Sequence, residues 1–180
     1  MDRQKRLELA VPVSTVDHAL GRADAPLTIV EYGDFDCPNC KQAVLVAKLP
    51  LDRYSRRARL VFRHFPQEEI RPHALPAAPA AEAAGAQGKF WPMHHLLFGN
   101  QQQLKLKQLG GCAERLELDM TRFRIEVDEE IASQRIREQI DSGNRSGVRA
   151  ASIFFINRWI QGISFGLQVL EAGVEEAFQK

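Results

Sequence analysis

Two thiols three positions apart, Cys37 and Cys40, stand directly behind a run of strand-forming residues, Thr28-Ile29-Val30-Glu31-Tyr32. A strand giving way to a helix is where disulfide exchange wants its cysteines. At the first turn of a helix, unpaired N–H groups and the positive end of the macrodipole favour an anion, here the thiolate of Cys37. The thiolate is the nucleophile, whereas the thiol is nearly inert. Residues i and i+3 share a helix face, so Cys40 can reach Cys37. Pro38 suits the first helical position, where its missing N–H would have no partner in any case.

The elements needed to position this pair are legible around it. Leu27 to Tyr32 and Ala58 to Phe65 have strand composition. Lys41 to Tyr54 between them reads as helical, with Pro50 expected to kink or end it. A right-handed crossover then makes the two strands parallel. From His73 to Asp141 the composition turns alanine-rich and then charged, as expected of a helical insertion. One helix should start firmly near Pro79, and a second runs through Phe90-Trp91-Pro92-Met93-His94-His95-Leu96-Leu97-Phe98. Asp119 is the expected N-cap of the longest helix, along which Phe123, Val127, Ile131, Ile136 and Ile140 form a core stripe. Asp141 to Gly147 reads as a loop, returning the chain to a strand at Ile153 to Ile156 and a hairpin-like partner at Trp159 to Gly162. A last helix is expected from Leu167 to Phe178.

In 180 residues, 44% apolar, with 24 basic and 23 acidic side chains, there is room for one well-packed unit with an insertion and no field to hold nucleic acid. No run is apolar and long enough to span a membrane. The start, Met1 to Pro12, has no export signal, which sets the expectation of a cytoplasmic protein, or a periplasmic one if that start is not native. Three cysteines are an odd count, giving a lone redox pair plus one bystander. Cys112, behind Gly110-Gly111, opens the helical stretch to Leu118; packing as a small apolar side chain is its main reading, with a resolving or metal-ligand role beside it. His73, His94 and His95 lack a spaced partner pair for zinc, so no metal site is assigned to them. His64 is expected to pack beside Phe62 or Phe65.

Taken together, the strings Asp17-His18-Ala19-Leu20-Gly21, Asp24-Ala25-Pro26, Tyr32 to Cys40, Phe62-Arg63-His64-Phe65-Pro66, Gln87-Gly88-Lys89-Phe90-Trp91 and Ser146-Gly147-Val148 resemble the DsbA-like thioredoxin-fold oxidoreductases, in the bacterial branch with a helical insert. The resemblance implies an α/β thioredoxin fold built from 1–66 and 144–180, with a helical domain, 67–143, inserted before its third strand. It implies that Cys37 is the exposed attacking cysteine and Cys40 the buried resolving one. Glu31 matches the family's buried acid on the first strand, able to take the proton of Cys40; a strand-end glutamate facing water is the other reading. Phe90 and Trp91 fall where the insert meets the main domain, as packing or as substrate contact.

One departure matters. The family reads Gly-Val-x-Gly-Thr-Pro-Thr opposite the cysteines, with a cis proline, and this chain reads Gly147-Val148-Arg149-Ala150-Ala151-Ser152-Ile153. A cis bond before a non-proline residue costs about 2.5–4 kcal/mol, so a trans Ala151–Ser152 bond is expected. In the family this loop pairs with the substrate backbone and its proline keeps metal from the thiolates; here Ala151 and Ser152 are the candidate substrate-binding residues, without the proline that does both jobs. Ser152 either offers its hydroxyl to the Cys37 sulfur or fills space.

The expected activity is disulfide exchange with protein or small thiols through a Cys37 mixed disulfide, with no organic cofactor. Pro38-Asn39 lacks the histidine of the strongly oxidising relatives, so a less oxidising pair is expected. The rival readings are a binding module with a vestigial pair, a metal or iron–sulfur site on Cys37 and Cys40 opened by Ser152, and a glutathione-dependent isomerase.

Overall fold

A computed structural model describes residues 7–54, 56–67, 69–70, 74–128, 130–161 and 167–179. The expectations for the first six residues, His73 and Gly162 lie outside these. Five strands form one mixed sheet in the order β1-β3-β2-β4-β5. They are β1 (His18–Gly21), β2 (Leu27–Gly33), β3 (Ala58–His64), β4 (Ile153–Ile156) and β5 (Trp159–Gln161). β2 and β3 are parallel, as the crossover requires, and the other pairs are antiparallel. β1, hidden in the sequence as four residues beside a polar stretch, extends the sheet beyond β3.

β2 is the central strand and is buried along nearly its whole length. Its alternation sends Leu27, Ile29 and Glu31 to one face and Val30 and Tyr32 to the other. Helices α1 (Pro38–Arg53) and α7 (Leu167–Gln179) cover the first face, where Leu27, Ile29, Ala43, Ala47, Leu60, Phe154 and Val174 pack together. Val30, Tyr32, Val61, Phe65, Ile153 and Phe155 form the opposite layer, against Ile140 of helix α6 (Glu130–Arg145). Pro50 does not end α1: it lies buried in the last turn, where only one helical N–H is lost, and the Tyr54 N–H still reaches its carbonyl at 2.8 Å.

The insert is helical, as the composition predicts. Besides α6 it holds α2 (Ala74–Ala86), α3 (Phe90–Gly99), a 3₁₀ turn (Gln101–Gln103), α4 (Leu106–Arg115) and α5 (Met120–Asp128). α2 begins before Pro79 and passes through it, since burial of Ala77, Ala78, Ala80, Ala81, Ala83 and Ala84 outweighs one missing hydrogen bond. Asp119 does cap a helix, accepting from the Thr121 and Arg122 N–H groups at 2.9 and 3.0 Å, but that helix is α5, with α6 a separate element. Gly110, Gly111 and Cys112 lie inside α4 instead of opening it.

The loop expected at Asp141 to Gly147 is the last turn of α6 up to Arg145, and the helix therefore runs across residues 143 and 144, where the two parts of the chain were expected to meet. Tertiary contacts override the local signal. A Cβ on Gly143 would sit 2.8 Å from Phe65 and 3.1 Å from Tyr32, so glycine lets this helix lie directly on the sheet. Ser142 Oγ is 2.5 Å from the Tyr32 hydroxyl. The hairpin joining β4 to β5 turns through Asn157 and Arg158, both at positive φ, as a two-residue type I′ turn needs.

Arg63 of β3 organises the layer beneath α6. Its guanidinium, 3% exposed, donates to both Asp17 oxygens at 2.8 and 3.0 Å, to the Val11 and Pro12 carbonyls, to Tyr32 Oη and to Ser142 Oγ. Removing one partner of such a buried pair leaves the other charge without compensation. Arg63→Ala is expected to lower unfolding stability by about 3–5 kcal/mol in urea titrations, whereas Arg22→Ala, whose pair with Asp24 is exposed and screened by solvent, leaves the urea midpoint unchanged.

Candidate active site

Cys37 is the N-cap of α1, with extended backbone (φ −87°, ψ 118°), and Pro38 follows at the first helical position. Its side chain makes no capping bond to the helix, and the residue stands at the positive end of the helix dipole. Asp34 sets the approach: its Oδ1 accepts from the Asp36 N–H at 2.8 Å and its carbonyl from the Cys37 N–H at 3.1 Å. One turn on, Cys40 is buried on the same side. All three cysteines are thiols. Cys112, buried in α4 with its thiol held up by desolvation, packs within the insert's core.

Cys37 is not the exposed thiol that the resemblance implies: it is 0% exposed. Its Sγ points at the Ala151 carbonyl, 3.7 Å away, and it packs in the layer that includes Phe35, Phe62, Phe98 and Ala151. Gln101, in the 3₁₀ turn after α3, closes the site from the insert side. Its Nε2 donates to the Phe35 carbonyl at 2.9 Å and to the Cys37 carbonyl at 2.8 Å. The sequence offered no sign of this role in the polar run Gln101-Gln102-Gln103.

Glu31 faces inward, not toward water. It is 0% exposed, on the same side of β2 as Leu27 and Ile29, the side α1 covers. Burial pushes its carboxyl up to about 8, reinforced by the Cys37 charge and partly offset by a hydrogen bond from Ser152. Burial likewise pushes the Cys40 thiol far up, with a hydrogen bond to Cys37 and the charges of Glu31 and Cys37 acting in the same direction. The site thus pairs a thiol at a helix N-terminus with a second, more deeply desolvated thiol, and it places a carboxyl of raised basicity beside both.

The Ala151–Ser152 bond is cis, contrary to the trans expectation. Contacts from three other segments hold this loop and outweigh the local amide preference. The Val148 N–H bonds the Gly143 carbonyl at 2.9 Å, the Ala151 carbonyl accepts from Cys37, and Ser152 Oγ donates to Glu31 Oε1 at 3.0 Å. The Ser152 hydroxyl therefore serves Glu31, not the Cys37 sulfur.

A second polar cluster ties the insert to the sheet. Glu82 of α2 accepts from His64 Nε2 of β3 at 2.9 Å, from His18 Nε2 of β1 at 3.0 and 3.1 Å, and pairs with Arg135 of α6 at 3.2 Å. Burial alone would raise its carboxyl, but the bonds from the two imidazoles hold it well below the usual range. His18 stacks on Phe90 at 3.6 Å, and Trp91 packs between two core layers, so both aromatics are junction residues. His64 packs near Phe62 as expected, with Glu82 an unforeseen partner. His94 is buried among Phe62, Phe98 and Trp91 while His95 is exposed, so the adjacent pair diverges. Among the described residues no group of three or more His, Cys, Asp or Glu side chains is placed to hold a metal ion.

The geometry predicts two outcomes. The folded carboxyl of Glu31 titrates above its unfolded value of 4.5, so the folded state is favoured by the neutral acid; the contribution of this group to stability is full below about pH 4.5 and falls as pH rises toward about 8. Glu31→Gln, which carries no charge to bury, is expected to be more stable than the native chain by about 2–3 kcal/mol at pH 7–8, with the gap closing near pH 4, in denaturant titrations. Gln101→Ala removes both donors that hold the Phe35 and Cys37 carbonyls. It is expected to speed alkylation of Cys37 about tenfold, the equivalent of one net hydrogen bond, with the rate followed by mass spectrometry.

The comparisons with known proteins agree with this fold. The model of the thioredoxin family matches residues 14–162. A thioredoxin-like oxidoreductase from Silicibacter pomeroyi superposes with a TM-score of 0.81 at 22% identity, over 91% of this chain and 93% of that one. BdbD from Bacillus subtilis gives 0.77 at 20%, over 90% and 92%, and alpha-DsbA2 from Wolbachia pipientis 0.77 at 18%, over 90% and 87%. In sequence the chain is 42% identical over 173 residues to a Na⁺/H⁺ antiporter NhaA 1 of Salinispora arenicola, and 40% identical to NhaA 3 of Salinispora tropica. It covers 96% of itself but only 26% of each, so it spans about a quarter of the curated relatives it matches. Among the described residues no helix is long and apolar enough to cross a membrane. With that match across most of its length and with the sheet order and helical insert seen here, the chain belongs to the thioredoxin family.

Proposed function

We propose that this chain is a thiol-disulfide oxidoreductase that exchanges a disulfide with protein or small-molecule thiols through a mixed disulfide on Cys37. The observation that carries the reading is the enclosed set of Cys37, Cys40 and Glu31. Two thiols sit in the first turn of α1, and a carboxyl buried beside them is basic enough to accept a thiol proton. In the reducing direction the Cys37 thiolate attacks a substrate disulfide. One substrate sulfur leaves as a thiol and the other stays bonded to Cys37. Glu31 then takes the proton of Cys40, whose sulfur attacks Cys37 Sγ and expels the second substrate thiol. The oxidising direction is the reverse.

Access to Cys37 in this scheme requires the Gln101 turn or the Ala151–Ser152 loop to draw aside, because both lie against it. The loop then offers its backbone to an incoming extended chain, as the resemblance implies for Ala151 and Ser152.

The deciding experiment equilibrates the protein across glutathione ratios, alkylates free thiols and reads the masses. Cys37 and Cys40 are expected to lose and regain alkylation together in one two-electron transition, with a midpoint more reducing than that of the strongly oxidising relatives. Cys40→Ser should accumulate a glutathione adduct on Cys37, and Cys37→Ser should accumulate none. Thiols that never pair at any ratio, in a chain that remains folded, would overturn the proposal in favour of a binding module with a vestigial pair.

A further inference from the structure

Where the resembled family carries proline, this chain carries a hydroxyl, and the structure shows what that hydroxyl touches. Ser152 is 1% exposed and Glu31 0%, and their side chains meet at 3.0 Å. The other carboxyl oxygen, Oε2, has no hydrogen-bond partner. A buried acceptor without a donor is costly, so an oxygen left in this state beside a reactive thiol is poised to receive a proton. Proline at position 152 has no donor to offer, and the carboxyl would then have to be held by other means.

We infer that the Ser152 hydroxyl positions Glu31, fixing Oε1 by a hydrogen bond so that Oε2 remains the proton acceptor for Cys40 during resolution of the mixed disulfide. The inference rests on the oxidoreductase reading above. Atoms and electrons balance within the site: Oε2 takes the proton from Cys40 Sγ, the Cys40–Cys37 bond forms, and the bond from Cys37 to the substrate sulfur breaks. The departing thiolate is then protonated by Glu31 or by water. Ser152 neither gains nor loses a proton; it is a positioning residue.

The surroundings leave Ser152 as the polar side chain best placed to adjust this carboxyl. α1 contributes the two thiols, Cys37 and Cys40, whose charges couple to it. On β3 the residue paired with Glu31 is Phe62, and on β4 it is Phe154. His64, two residues further along β3, is engaged by Glu82. Gly33 lets the carboxyl and the Phe62 ring crowd together: a Cβ there would lie 2.4 Å from Phe62 Cε2 and 3.3 Å from Glu31 Oε1.

The test uses the whole chain with Ser152→Ala, Ser152→Thr and Glu31→Gln. Infrared titration follows the protonated carboxyl band that Glu31→Gln abolishes. Stopped-flow mixing with oxidised glutathione follows the second, resolving phase from pH 5 to 10. Ser152→Ala is expected to raise the carboxyl midpoint by about one pH unit and to slow resolution about tenfold on the acid side of the profile. Ser152→Thr, which keeps the hydroxyl, should restore both, and Ser152→Ala should have no further effect in the Glu31→Gln background. An unmoved midpoint in a folded Ser152→Ala protein overturns the inference. So does a uniform slowing at every pH that persists without Glu31, which is what a merely structural role would give. A shifted midpoint with no resolving phase in any variant, the native chain included, instead overturns the oxidoreductase reading and removes the acceptor role with it.

Discussion

A carboxyl enclosed in an apolar layer beside two thiols is the constraint on which this structure turns. Glu31 could reach water only by leaving the central strand, and β2 is hydrogen-bonded on both edges by β3 and β4. Period-two alternation therefore commits its side chain to the face covered by α1. The same geometry brings Cys40 to that face, with only Asp34, Phe35 and Asp36 between the end of the strand at Gly33 and the helix N-cap at Cys37. Burial raises the carboxyl and the Cys40 thiol alike, so the greater basicity of Glu31 offsets part of the difficulty of ionising Cys40.

The helical insert is bound to this frame through polar contacts as well as apolar ones. Glu82 sits among His18, His64 and Arg135, side chains from two strands and a helix, and Gln139 of α6 accepts from the His64 N–H at 2.6 Å. Gln101 reaches from the insert to the carbonyls on either side of Asp36. The segment that leads into the cysteines is thus held by its own Asp34 and from the insert by Gln101, and Cys37 is enclosed rather than presented.

Much of the site could be read in the chain because its parts are local. Pro38 and the i, i+3 spacing of the cysteines announce a helix start, and the strand composition of Leu27 to Tyr32 announces what precedes it. The parallel pairing of β2 and β3 follows from the crossover between them. Elements governed by distant contacts were not legible. β1 exists because β3 offers an edge, and the end of α6 stays helical through Ser142, Gly143 and Asn144 because Tyr32 and Phe65 receive it.

By itself, then, the sequence determined the spaced pair of cysteines, its place at a strand-to-helix junction and the helical character of the insert, all properties of residues close together in the chain. The tertiary structure decided the rest. It turned Glu31 inward, closed Gln101 and Ala151 over Cys37, gathered two histidines on Glu82, and gave Ser152 a carboxyl partner 121 positions away in the chain. The physical reason is common to all four. Burial and hydrogen bonding between remote segments decide which atom a side chain meets, and the energies of those meetings exceed the local preferences that spacing and composition can express.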